Sequence, residues 1–141
     1  FGLSSHLVDI CLSSNLSSEL ILNSNILINS NIDLLRIFQS TGFKNNHKSS
    51  REYIKISENH PLKNILFDPQ TNGPMLIAIN KQNQKKFENY FSNESDVKPI
   101  LIGRFIDKST LSVYIYSGAK SPIVHLSLLK VYWYPISDKI L

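Results

Sequence analysis

Cysteine is almost missing from this chain: Cys11 is the only one in 141 residues. A single thiol excludes an internal disulfide and any zinc site built on cysteine pairs, and it fits a reducing compartment. Alanine is nearly absent as well, found only at Ala78 and Ala119, whereas Ser, Asn, Ile and Lys abound. No apolar run approaches the ~18 residues that a membrane span needs, and no basic-then-apolar segment opens the chain. We therefore expect no membrane partner and a cytoplasmic location. Blocks of one charge are also lacking. The formal net charge is +4 with 18% charged residues, but the lysines are scattered among acids, without the arginine-aromatic interleaving of a nucleic-acid surface. No nucleic-acid partner is expected. The chain opens on Phe1-Gly2-Leu3 with no initiator Met, as expected of a piece of a longer protein.

What is present suits one domain with a real core: 42% of the residues are hydrophobic, and the length is sufficient to bury them. Residues 3–12, LSSHLVDICL, put Leu3, Leu7, Ile10 and Cys11 on one helical stripe, with Ser4 or Ser5 as a candidate cap. ELILN (19–23) and NILIN (25–29) read as short strands or as one strand with a bend. NIDLLRIFQSTG (31–42) reads as a helix closed by Gly42. Residues 43–51, FKNNHKSSR, read as a polar basic loop, and EYIKI (52–56) as an edge strand. HPLKNILF (60–67) reads as a short helix entered at Pro61, followed by a turn and the strand PMLIAIN (74–80). KQNQKKFENYF (81–91) predicts a helix with Phe87, Tyr90 and Phe91 inward. ILIGRFI (100–106) and LSVYIYS (111–117) read as a hairpin. The segment from Ala119 onward is open between strand, helix and docking segment. Helices and strands alternate without repeats, which predicts an α+β fold with a mixed or antiparallel sheet.

The densest local signal is the turn Asp68-Pro69-Gln70-Thr71-Asn72-Gly73. Asp before Pro sets an extended approach, and Asn-Gly supplies positive-φ geometry. Thr71 and Asn72 could offer hydroxyl and amide groups to an anion beside backbone N–H groups, or the turn is a plain connector into a core strand. The cations Lys44, His47, Lys48 and Arg51 could hold phosphate or be a solvated surface. His47, His60 and His125 lack metal-type spacing, and His6 reads as structural. Cys11, on the inward stripe, reads as a small inert hydrophobe. Tyr132, Trp133 and Tyr134 are core or interface aromatics. Neither a phosphate-binding glycine loop, a dinucleotide fingerprint nor a Ser-His-Asp order is found.

The stretch LFDPQTNGPMLIAI resembles the Asp-Pro-Gln-Thr-Ser-Gly-Gly-Leu-Leu segment of selenide, water dikinases, also called selenophosphate synthetases. The opening FGLSSHLVDI resembles the end of that family's Asp-Val-Thr-Gly-Phe-Gly-Leu-Leu-Gly-His motif, and LIGRF its Ile-Gly-Arg/Glu strand. The resemblance covers about residues 1 to 116. Three positions depart from it: Ser5 replaces Gly, Asn72 replaces Ser, and Pro74 replaces the second Gly, which removes an N–H and restricts φ.

The resemblance implies the C-terminal domain of a two-domain enzyme that converts ATP, selenide and water to selenophosphate, AMP and phosphate. The implied fold is the α/β/α sandwich of AIR-synthase C-terminal domains, in part ferredoxin-like. It would span residues 1–118, with 119–141 an extension docked on the same domain. Mg²⁺ and ATP would be bound mainly by an N-terminal domain of the same polypeptide. That domain would also carry the nucleophile and most of a homodimer interface. This chain would then hold no catalytic residue and no metal ligand, and would be inactive alone. Gly2, Thr71, Asn72 and Gly73 are the positions implied to approach ATP phosphates; Lys48 and Arg51 remain candidates from the basic stretch 43–51 and not from the resemblance. The competing reading is a degenerate AIR-synthase-like binding or assembly module without activity.

Overall fold

The computed structural model describes residues 2–24, 39–69, 75–94, 99–117 and 129–134, the last stretch as backbone. Its helices are α1 (Leu3–Ser13), α2 (Thr41–Ser50) and α3 (Gln84–Glu94). Its strands are β1 (Leu16–Ile21), β2 (Ile54–Lys55), β3 (Met75–Asn80), β4 (Ile100–Asp107), β5 (Val113–Tyr116) and β6 (Leu129–Tyr134). They form a mixed sheet in the order β2-β5-β1-β4-β6-β3. Strand β5 runs parallel to both β1 and β2, while β1–β4, β4–β6 and β6–β3 are antiparallel. Helices on a mixed sheet agree with the α+β class.

Helix α1 forms because Leu3, Leu7, Val8 and Cys11 recur at helical spacing, and all four are buried. Its chain reverses at Asn15, whose φ of 52° is a left-handed conformation that a short polar side chain tolerates. Strand β1 then alternates. Leu20 points into the core, and Glu19 points to the other face. Ser17 Oγ donates to the Leu111 carbonyl at 2.8 Å and accepts the Ser109 N–H at 2.9 Å, which ties the start of β1 to the connection between β4 and β5. Across the β1–β4 register, Glu19 pairs with Arg104. Both Nε (2.9 Å) and Nη2 (2.6 Å) of Arg104 reach Glu19 Oε2, with side chains only 11% and 14% exposed.

Several expectations are corrected. Residues 43–51 are not a loop: residues 43–50 belong to α2, started by Ser40, whose Oγ accepts the Phe43 N–H at 3.0 Å. Gly42 therefore sits in the first turn of α2 and does not close a preceding helix. The cap of α1 is Gly2, and Ser4 and Ser5 are buried within the helix. Strands β4 and β5 are not a hairpin, because β1 lies between them. MLIAIN is not a core strand. Among the described residues it ends the sheet, and none of its residues is fully buried. Tyr90 is 62% exposed, not inward. Strand 19–23 starts earlier, at Leu16. The short helix at 60–67 appears as tight turns with a 3₁₀ segment at Asn64–Leu66. The edge position of β2 and the helix after Asn80 are as expected. The segments expected at 25–29 and 31–38 lie outside the described residues. Among the described residues no helix is long and apolar enough to cross a membrane.

Candidate functional site

The chain from His60 to Pro69 leads into the Asp-Pro turn and is wound tightly. The N–H of Leu62 donates to His60 Nδ1 at 3.1 Å, and i→i+3 backbone bonds follow from Lys63 through Phe67. Leu66 and Phe67 are fully buried, each gaining about 1.5–3 kcal/mol from burial. Asp68 and Pro69 then emerge, half-buried.

Three neighbours hold this root. Gly2 lies so close that a Cβ there would stand 2.6 Å from the Leu66 carbonyl oxygen and 2.9 Å from the Phe67 carbonyl carbon. Only glycine permits such an approach of backbone to backbone. From α2, the buried Asn46 donates through Nδ2 to the Phe67 carbonyl at 3.0 Å. The first turn of α2 presses Gly42 on Pro69, where a Cβ would meet Cγ at 2.9 Å. Rings of Phe43 and His47 pack edge-on to Phe67, at 5.9 and 4.7 Å between centroids. The N-termini of α1 and α2 thus both abut the entry to the turn.

Beside this root stands a cluster of charge. Arg51 Nη1 donates to the Ile54 carbonyl at 2.8 Å, and Nη2 to Glu58 Oε1 at 2.9 Å. Lys63 pairs with the other oxygen of Glu58. Hydrogen bonds from Lys63 and Arg51 hold the Glu58 carboxyl below its ordinary range. Burial, with the nearby Lys63 and Arg51 cations, pushes His47 down against the opposing pull of Glu58. His60 is pushed down by burial as well. Burial pushes the Cys11 thiol up, so it is neutral, as an inert core residue should be. Arg51 also lines an open groove of about 530 Å³ with Lys55, Thr110, Leu111 and Tyr114, at the β2 edge of the sheet.

Of the positions singled out in the sequence, Gly2 is brought against the root of the turn. Thr71, Asn72 and Gly73 lie outside the described residues, as does His125. Lys48 is exposed on α2, while Arg51 is engaged with Ile54 and Glu58. His6 is exposed. Sequence reasoning missed Asn46, although its spacing from Phe43 and Ser50 marks one helical face. It also missed Gly42 as a packing position. Among the described residues no group of three or more His, Cys, Asp or Glu could hold a metal ion.

No family model matches the chain, and no solved structure matches it significantly. Curated proteins do. The selenide, water dikinases of Shewanella sp. strains MR-4 and MR-7 are each 32% identical to it over 104 residues, which is 73% of this chain and 29% of theirs. The selenide, water dikinase of Shewanella putrefaciens strain CN-32 is 34% identical over 80 residues. The aligned stretch thus spans less than a third of the relatives it matches. Within those bounds, the chain contains a region related to selenide, water dikinases.

Proposed function

We propose that a chain carrying a selenide, water dikinase-related region serves as the C-terminal domain of a selenophosphate synthetase and forms one wall of its ATP and phosphate site. The parent polypeptide would convert ATP, selenide and water to selenophosphate, AMP and phosphate. The observation that carries this reading is the meeting of Gly2 with Leu66–Asp68. Two motifs that resemble the family lie more than sixty residues apart in sequence and touch at the backbone in the fold. Gly2, Thr71, Asn72 and Gly73 are the positions we assign to the phosphates, through backbone N–H groups and short polar side chains. Gly2 caps α1 without a side-chain hydrogen bond, so no cap side chain occupies the first-turn N–H groups of that helix.

Phosphate would be held here by backbone donors, and Mg²⁺ by residues of an N-terminal domain of the same polypeptide, as the resemblance to selenide, water dikinases implies. That second domain is also where a homodimer would form. We further assign the helix-backed mixed sheet to the AIR-synthase C-terminal type, an α/β/α sandwich.

The test is titration of the longest native polypeptide containing this chain with Mg²⁺-ATP and selenide, followed by phosphorus NMR. Selenide-dependent formation of AMP and selenophosphate is the expected result. A folded protein that binds ATP and forms neither would refute the enzymatic reading and leave a degenerate binding module.

A further inference from the structure

We propose that β3 is a self-pairing edge, the surface on which a second copy of this chain adds its own β3 antiparallel and joins two sheets into one. Among the described residues β3 stands at one end of the sheet, with β6 on its inner side. Among those residues, too, no backbone group of Met75–Asn80 bonds outside that ladder. Alternate residues of such a strand turn N–H and carbonyl outward. A row of unpaired groups is a template for another strand, and proteins ordinarily blunt it with charge, proline or a bulge. MLIAIN carries neither charge nor proline, and its register against β6 runs unbroken from Met75 to Asn80. Met75 is 53% exposed, and Leu76, Ile77 and Ile79 are half-buried.

The opposite edge is built differently. Strand β2 is two residues long, and Lys55 stands exposed on it. Arg51 occupies both backbone groups of Ile54: its carbonyl accepts the Ile54 N–H, and its Nη1 donates to the Ile54 carbonyl at 2.8 Å. Head-to-tail pairing of β3 on the β2 of another copy, which would propagate into a filament, is thereby shut off. The two-fold pairing of β3 with itself remains, and it closes at two copies. The side chains fit that arrangement. In an antiparallel pair centred on Ile77, Met75 stands opposite Ile79 of the second copy, Leu76 opposite Ala78, and Ile77 opposite itself. Every pair is apolar and no like charges meet. About four to six backbone hydrogen bonds form, whichever alternate set faces outward. This contact is separate from the homodimer assigned above to an N-terminal domain.

Cysteine crosslinking in the longest native polypeptide tests the pairing. Opposed residues of an antiparallel pair have Cα atoms about 4.5–5.5 Å apart, within disulfide reach. The native Cys11 is fully buried and does not compete. Under mild oxidation Ile77→Cys should link to itself, and Met75→Cys mixed with Ile79→Cys should give the mixed link. Both are read by mass spectrometry of the joined peptides. Leu12→Cys, at a position 47% exposed on α1, is the collision control and should link at least about tenfold more slowly than Ile77→Cys. Met75→Lys adds the kind of charge that guarded edges carry. Because Met75 lies at the surface, Tm should hold while linking through Ile77→Cys slows several-fold. Linking through Ile77→Cys no faster than through Leu12→Cys, or unaffected by Met75→Lys, would overturn the inference. If Ile77→Cys does not fold, the mixture of Met75→Cys with Ile79→Cys decides alone, and absence of the mixed link overturns the pairing.

Discussion

Replacing Arg104 with Met should be among the most damaging single substitutions in the sheet. Arg104 and Glu19 face each other on adjacent strands β4 and β1, with side chains 11% and 14% exposed. Both guanidinium contacts, 2.9 and 2.6 Å, end on one carboxylate oxygen. At that burial the pair is not screened as a surface ion pair is, so the ~0.2–1 kcal/mol of exposed pairs does not apply. Arg104→Met strands a carboxylate in the sheet and should cost about 3–5 kcal/mol, because the uncompensated charge keeps its desolvation penalty. For a domain of this size that is a fall in Tm of roughly 10–20 °C. Glu19→Gln keeps an acceptor oxygen and should cost less, about 1.5–3 kcal/mol. The decisive arm is the double variant Glu19→Leu with Arg104→Met, which removes both charges together and should return to within ~1–2 kcal/mol of the parent. Urea unfolding with a common m-value reads the parent, Glu19→Gln, the singles Glu19→Leu and Arg104→Met, and the double variant. If Arg104→Met alone costs less than ~1 kcal/mol, water reaches the pair and the reasoning fails. A double variant as poor as the sum of the singles refutes it too, because the two charges would then not depend on each other.

Other outcomes follow from the same geometry. Gly2→Val places a side chain where Leu66 and Phe67 backbone atoms already stand. It should lower stability by about 1–3 kcal/mol, and calorimetry showing the parental Tm would refute that contact. Ser40→Ala removes the hydroxyl that accepts the Phe43 N–H. It should lower the urea midpoint by the equivalent of ~1 kcal/mol with m unchanged, while Ser40→Asp should retain most of the stability. His60 is buried, and its folded pKa is lowered, so its neutral form is favoured by the fold. Its contribution is full above the unfolded value of about 6.5 and is lost as pH falls toward the folded pKa, at up to ~1.4 kcal/mol per pH unit. His60→Asn can still accept the Leu62 N–H and cannot titrate, so its unfolding free energy should fall less steeply than the parent's between pH 6.5 and 5. Parallel pH profiles would refute the role of His60.

The parts of the fold legible in sequence were those whose apolar residues keep one period. Helix α1 declares itself through Leu3, Leu7 and Cys11, and β2 through its short alternation. Helix α2 did not, because its buried face is one aromatic and two polar residues, Phe43, Asn46 and Ser50. No hydrophobicity pattern finds such a face; capping by Ser40 and packing on Phe67 create it. The β4–β5 hairpin was misread for another reason. Nothing local in a turn reports that β1, nearly a hundred residues earlier, inserts between the two strands. MLIAIN reads as buried because it is apolar throughout, yet strand order places it at the end of the sheet. At the site, resemblance supplied both Gly2 and the turn, and the backbone contact between Gly2 and the turn's root had no sequence signal at all. The hydrogen bond from Asn46 to the Phe67 carbonyl was hidden because Asn is so common in this chain that one more carries no information.

Why a polar seam should exist between α1 and α2 at all has a physical answer. Apolar side chains that fitted the same space in place of Ser4, Asn46 and Ser50 would bury more apolar area, and stability alone would favour them. Apolar contacts, however, are nearly indifferent to small slides of one helix along another, whereas a buried polar group left without its partner costs about 1–3 kcal/mol. A slide that broke the Ser4–Ser50 or Asn46–Phe67 contact would leave buried groups unpaired. The seam therefore narrows the slides that the helix pair tolerates to those that keep its hydrogen bonds, and it does so at the base of the segment carrying Thr71, Asn72 and Gly73. In the proposed function, where backbone N–H groups must stand at fixed distance from phosphate oxygens, that tolerance is what the site requires.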